Sequence, residues 1–399
     1  MDTVPADSPA SAQIEHVEQS GSLVSVFWAD GSSNTFHSIW LRDNCRCEKC
    51  GEPVIGRRTS RLTDFPLDIA PTAVGVDTQT TLSVTWNHDR HESRYDATWL
   101  RATAYDTESA RKARRYPPIL WDNAFLKAPP TVDFSHAGTD RGLFDVLRTV
   151  RDYGICFITG GPSTTGQLEG FATRFGHIQE TNFGRIQDLK IDPSKRSIAN
   201  SFEALPLHTD EPYRASPPGI LMFHCVQVDP ERGGQSQFLD GFKIASILRD
   251  EDPEGFNALV ENRQSWRRHF EGDVDVSAQF PMISLDEFGD VTGIRFNDRV
   301  ASPLSLPPDR VETYYRGYRR LIELTSDPDY VIARRLQPGD IAIFDNHRIL
   351  HGRSAFALQS ERHLQWGSVR RGDLYSSLRI LADKLGIDRE DGVMPSGAY

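Results

Sequence analysis

His208-Thr209-Asp210 sets an imidazole and a carboxylate two residues apart. On an extended segment that spacing turns both side chains to one side, so both can reach a single ion while Thr209 points away. A non-haem iron that activates O₂ keeps several coordination positions open, and the protein then supplies two imidazoles and one carboxylate on one face. The triplet alone is weak evidence. With 12 histidines and 56 acidic residues in 399, about two His-x-Asp/Glu triplets arise by chance. His16-Val17-Glu18 and His269-Phe270-Glu271 also match, and both read as surface strand or loop.

Context separates the first triplet from the others. Leu205-Pro206-Leu207 precedes it, and Pro212, Pro217-Pro218 and an apolar run from Leu221 to Val226 follow. Far downstream, Pro338-Gly339-Asp340 opens Ile341-Ala342-Ile343-Phe344-Asp345-Asn346, a turn and strand that deliver His347 and the loop Leu350-His351-Gly352-Arg353. Either histidine can supply the third ligand. His351 is the choice, because a glycine follows it, where backbone can crowd a site, and Arg362 stands eleven residues on. Arg362 opens Arg362-His363-Leu364-Gln365-Trp366, where alternation aims it to the face of Leu364 and Trp366. A guanidinium on an apolar strand face needs a carboxylate partner, and a bidentate acid terminus satisfies it better than water. By itself, Arg362 reads as a structural salt bridge.

These residues need strands to carry them. Segments 219–228, 235–239, 293–297, 340–345 and 362–369 read as strands, which indicates a mainly β barrel or sandwich with flanking helices. Apolar residues at 143, 146, 147 and 150 predict a helix over 142–153, followed by the buried strand Ile155-Cys156-Phe157-Ile158. Asp309 to Leu324 predicts a second helix, with Val311, Tyr314, Tyr315, Tyr318, Leu321 and Ile322 on one side. Upstream, Ser22 to Trp28 and Thr81 to Trp86 each run into a polar turn, and the second strand of each hairpin closes near Trp40-Leu41 or Trp99-Leu100. The expected division is a flexible tail at 1–12, a small β domain at 13–111, a packed connector at 112–130 and a catalytic domain at 131–399.

A net charge of -11 excludes broad nucleic-acid or anionic-membrane binding, and no apolar run reaches the roughly 20 residues of a membrane span. The first dozen residues lack the basic start and apolar stretch of a signal peptide. Five cysteines, three of them at Cys45, Cys47 and Cys50, suit a reducing compartment, with cytoplasm as the default. Cys156 and Cys225 read as buried small residues.

Together these segments resemble the taurine dioxygenase-like superfamily, most closely its γ-butyrobetaine and trimethyllysine hydroxylase branch. The resemblance spans nearly the whole chain. It implies a double-stranded β-helix (jelly-roll) catalytic domain, Fe(II) on His208, Asp210 and His351, 2-oxoglutarate clasped by Arg362, and O₂ as the other cosubstrate. Gly233-Gly234-Gln235-Ser236 looks like the family's GGDS/T segment, which makes Ser236 a second contact to 2-oxoglutarate. Trp40 to Cys50 matches the branch's zinc-binding domain, with His91 at the position that completes a structural Cys₃His site and His88 as the rival. Three thiolates within six residues are hard to bury without a metal, and a closed four-ligand shell is structural rather than catalytic. A homodimer is implied as well.

The substrate cage of the branch is not reproduced. Carried over without gaps, the positions of its aromatics hold Phe183, Gln187, Asn200 and Ser368, with Tyr213 and Trp366 near enough to contribute. Asn297 matches a substrate-side asparagine, and Arg295 or Arg185 is available for an acidic group. Aromatic faces suit a trimethylammonium that cannot be hydrogen-bonded. The polar replacements point instead to oxidation, most simply hydroxylation, of a small polar or zwitterionic molecule. A betaine hydroxylase with a rearranged cage, or an enzyme giving desaturation or cyclisation, is the alternative. A non-enzymatic zinc scaffold would be expected to have lost a ligand, and a zinc hydrolase would leave Arg362 and Ser236 unexplained.

Overall fold

The computed structural model describes residues 12–52, 56–108, 117–125, 127–190, 201–228, 233–270, 274–355, 357 and 361–387. The expected tail lies outside them except for Ala12, which is buried rather than loose; Asn200 also lies outside. The chain divides into two compact units, 1–115 and 116–399. Among the described residues no helix is long and apolar enough to cross a membrane.

The first unit holds two three-stranded antiparallel meanders, Ile14–Ser20, Leu23–Trp28 and Ser33–His37, then Pro71–Thr78, Thr81–Trp86 and Glu92–Asp96. In each middle strand alternate residues are buried, Val24, Val26 and Trp28 in one and Leu82, Val84 and Trp86 in the other, and all six share one core. The echo extends to polar detail. Trp28 donates its indole N–H to Asn34 Oδ1 and Trp86 to Ser93 Oγ, both at 2.8 Å. The Trp-Leu pairs lie not on strands but on short helices, Ser38–Asp43 and Ala97–Thr103, that follow each third strand. An i, i+1 pair on a helix splits between faces, and Leu41 and Leu100 take the buried side.

The second unit is a jelly-roll of ten strands: β1 (Thr131–Asp133), β2 (Ile155–Thr159), β3 (Gln187–Leu189), β4 (Leu205–His208), β5 (Ile220–Gln227), β6 (Ser236–Asp240), β7 (Val331–Arg334), β8 (Ile341–Asp345), β9 (Ile349–Arg353) and β10 (His363–Val369). Six form one sheet in the order β3-β10-β5-β8-β2-β1, and four form another in the order β4-β9-β6-β7. Alternation assigns each face. In β8, Ile341 and Ile343 meet the helices Asp140–Tyr153 and Arg371–Leu385, while Ala342 and Phe344 join Phe157, Phe223 and Phe238 in the inner core. In the smaller sheet, Leu207, Leu239 and Leu350 turn outward to the helices Gly241–Glu251, Pro253–Glu261 and Pro308–Ser326.

The strand expected at 293–297 ends at Ile294 and belongs to a separate hairpin, Ile283–Leu285 with Val291–Ile294. On the helix Pro308–Ser326, Tyr314 and Leu321 are buried but Tyr315 is 49% exposed, since 100° per residue carries it off the stripe.

Asp240, at the end of β6, caps the next helix through Phe242 N–H and takes two bonds from Arg348, at 3.0 and 2.8 Å. Both side chains are almost fully buried. Removing one member strands the other charge, so Asp240→Ala should cost about 3–5 kcal/mol, read as a lower urea midpoint for unfolding.

Candidate active site

β4 and β9 pair antiparallel with His208 directly opposite His351. Leu207 and Leu350 face outward, so both histidines project into the space between the sheets. The close approach depends on Gly352, where a Cβ would lie 2.4 Å from the carbonyl oxygen of Leu205. Phe223 and Phe344 pack against the His351 ring at centroid distances of 5.3 and 5.1 Å. His208 Nδ1 sits 2.8 Å from the Pro206 carbonyl, which places the proton on Nδ1 and leaves Nε2 to face Asp210.

Asp210 lies just beyond β4. Its Oδ1 is 3.3 Å from His208 Nε2 and its Oδ2 is 3.7 Å from His351 Nε2. Ligand atoms at right angles on bonds of roughly 2.1 Å would stand about 3 Å apart, so the three residues fit one ion on a common face. The carboxylate is held on several sides. Trp366 donates its indole N–H to Oδ2 at 3.0 Å, the Asp210 amide donates to Asn346 Oδ1 at 2.7 Å, and Asn346 Nδ2 returns bonds to the carbonyls of Asp210 and Pro218. Glu211, next in the chain, takes φ +51°, a left-handed conformation that costs a non-glycine residue energy.

Burial works to raise the Asp210 pKa, but His351, His208 and the Trp366 bond outweigh it and hold the carboxyl at about 2. Burial pushes His351 down to about 3 against the pull of Asp210. At neutral pH the pair is therefore a carboxylate and a neutral imidazole, the forms that bind a metal.

A cavity of about 170 Å³ opens beside these residues. Arg362, Ser236, Phe183, Gln187, Tyr213, Asn297 and Trp366 all line it. Arg362 is buried, and burial lowers its pKa to about 10. The Asn297 side-chain oxygen is buried, with no hydrogen-bond partner among the described residues.

Other expected contacts fall elsewhere. Ser368 does not line the cavity; it is fully buried near the end of β10, with its hydroxyl 3.5 Å from Gln179 Oε1. Arg295 donates to the main-chain oxygens of Pro212, Arg214 and Ala215 and lies 3.7 Å over the Phe280 ring, and Arg185 pairs with Glu169. His347 sits half-buried in the turn after β8, outside the ligand cluster. Conversely, Arg268, Arg299 and Arg353 line the cavity unannounced. Arg268 sits on the hairpin strand Arg263–Phe270 and Arg299 in the 3₁₀ turn Asp298–Val300, and no local spacing marks either as facing the site.

In the first unit, Cys45, Cys47, Cys50 and His91 form a second cluster, and His88 takes no part in it. The three sulfurs lie 3.3, 3.5 and 3.5 Å from His91 Nε2. A tetrahedron with zinc bonds of 2.3 Å to sulfur and about 2.0 Å to nitrogen has S···N edges of roughly 3.5 Å, so the donors fit zinc. Burial pushes the Cys45 thiol up and the His91 imidazole down. A metal that draws off the thiol protons suits such a site. Arg42 donates to Cys50 Sγ at 3.3 Å and to Asp89, which accepts from the His91 amide, so the shell is braced from behind.

Two family descriptions match the chain: "Taurine catabolism dioxygenase TauD, TfdA family" over residues 113–366 and "Gamma-butyrobetaine hydroxylase-like, N-terminal" over 15–101. The gamma-butyrobetaine dioxygenase of Pseudomonas sp. (strain AK-1) is 38% identical over 361 residues, covering 90% of this chain and 93% of its own. The trimethyllysine dioxygenase of Meyerozyma guilliermondii is 31% identical over 383 residues, covering 90% and 94%. A solved asparagine oxygenase in complex with Fe(II), hydroxyasparagine and succinate aligns with 61% of this chain and 94% of its own, at 16% identity and a TM-score of 0.46. The chain belongs to the TauD, TfdA family and is an Fe(II)- and 2-oxoglutarate-dependent dioxygenase.

Proposed function

We propose that His208, Asp210 and His351 bind the Fe(II), that Arg362 clasps the distal carboxylate of 2-oxoglutarate with Ser236 as a second contact, and that Cys45, Cys47, Cys50 and His91 bind a structural zinc. The observation that carries this reading is the convergence of three ligand side chains on one cavity with a buried guanidinium. What the metal supplies when bound is the oxidising power of O₂, released as 2-oxoglutarate goes to succinate and CO₂ and used on an unactivated C–H bond. Arg362 offers a planar fork that fixes one end of the cosubstrate. Trp366 and Asn346 hold the Asp210 carboxylate, the Pro206 carbonyl sets the His208 tautomer, and Phe223 and Phe344 keep water from the back of His351.

The substrate is a small polar or zwitterionic molecule, amino-acid-like or betaine-like. Gln187 and Asn297 on the cavity wall support it, since both offer hydrogen bonds. A second reading, a betaine hydroxylase with a rearranged cage, is favoured by Phe183, Tyr213 and Trp366 lining the same cavity and by the named activities of the relatives. The five free cysteines support a cytoplasmic setting. We place the zinc domain at 13–111, a connector at 112–130 and the oxygenase domain at 131–399, and the family resemblance supports a homodimer. No nucleic-acid or membrane partner is required.

Anaerobic addition of Fe(II) and 2-oxoglutarate should produce a weak visible charge-transfer band, and air should then yield succinate; Asp210→Ala should abolish both. Trp366→Phe removes one donor to the carboxylate and should lower iron affinity or activity by about 10- to 100-fold. Cys50→Ser should reduce bound zinc from one ion per chain to near none and lower the thermal midpoint of the first unit, with the visible band retained.

A further inference from the structure

The cavity carries more positive charge than the proposed iron and cosubstrate contacts employ. Arg268, Arg299, Arg353 and Arg362 line it against the carboxylates of Asp210 and Glu211. Arg353 donates to the main-chain oxygens of Ser201 and Glu203, Glu211 is ion-paired with Arg214, and Arg362 is the proposed 2-oxoglutarate clasp. Arg299 and Arg268 stand on another wall, where the turn Asp298–Val300 meets the hairpin strand Arg263–Phe270 and Trp266 bridges Ala301. Arg299 lines the same cavity as His208, Asp210 and His351. Asp298 and Asp210 favour its charged form, and Arg268 opposes it.

Arg299 is exposed and Arg268 half-buried where they line the cavity, and two guanidinium groups on one cavity suit an anion there. A cationic head group placed there would be repelled. Phe183 and Gln187, which also line the cavity, are uncharged.

Building on the Fe(II)/2-oxoglutarate reading, we propose that Arg299, with Arg268 beside it, is the anion-recognition element of the substrate side. It takes the carboxylate of a small acid, whose other end extends toward Phe183 and Gln187. Arg299 is thereby a specificity-determining residue, separate from the arginine that holds 2-oxoglutarate.

The test uses the iron-loaded full chain. If Fe(II) and 2-oxoglutarate give no visible band, the oxygenase reading fails and this inference with it. With the band present, succinate formation is followed with 4-aminobutyrate, 5-aminovalerate and γ-butyrobetaine, each beside its carboxamide. At least one free acid should drive turnover with kcat/KM about 10- to 100-fold above its amide. Arg299→Gln should erase that preference by acting on the acid alone, and Arg299→Lys should restore part of it. Equal use of acid and amide, acceptance of amides only, no turnover with any of the acids, or an acid preference that survives Arg299→Gln overturns the inference while the band leaves the oxygenase reading standing. Should Arg299→Gln fail to fold, the acid-to-amide ratio of the unaltered protein decides.

Discussion

The register of β4 on β9 is the constraint on which the catalytic unit depends, because it sets His208 opposite His351. Strand side chains alternate with a period of two, so a slip of β4 by one residue would send His208 into the helices packed outside and bring Leu207 into the site. The apolar parity that builds the core outside the smaller sheet is the same parity that aims the ligands inward. Folding and metal binding are therefore not independent demands on this pair of strands. Gly352 belongs to the same constraint, since any Cβ there would push the strands apart.

The second theme is charge placed where a β sandwich should be dry. Arg353 and Arg362 both sit with pKa values drawn down to about 10 by burial. Arg353 is met by the main-chain oxygens of Ser201 and Glu203, and a planar guanidinium such as that of Arg362 suits the carboxylate of the cosubstrate that we propose it holds. Asp210 is the inverse case. Burial alone would favour its neutral form, and neighbouring histidines and an indole N–H reverse the balance. The interior is thus tuned by partners rather than by exclusion of charge.

Legibility in the sequence follows physical range. His208 and Asp210 can be read because two residues of strand fix their common side, and Arg362 because the same rule ties it to Leu364 and Trp366. The zinc cysteines are legible from density alone. The inner and outer faces of β2 and β8 show in their continuous apolar runs. Arg299 and Arg268 are not legible, since a 3₁₀ turn and a hairpin strand gain their aim from tertiary packing that no local period encodes. Ser368 fails for the complementary reason. It shares strand parity with Leu364 and Trp366, but near the end of β10 the cavity has closed and Gln179 covers it. Parity states which side a residue faces, not whether anything is open there.

The Cys₃His cluster has a consequence of another kind. Its three sulfurs follow the helix after the first meander, while His91 rides the hairpin of the second. Neither meander owns a complete binding site, so tight zinc retention is possible only once the two have docked around their shared tryptophan core. A zinc held as proposed would therefore tie the two meanders together: a chain whose halves are misjoined has only a partial shell to offer.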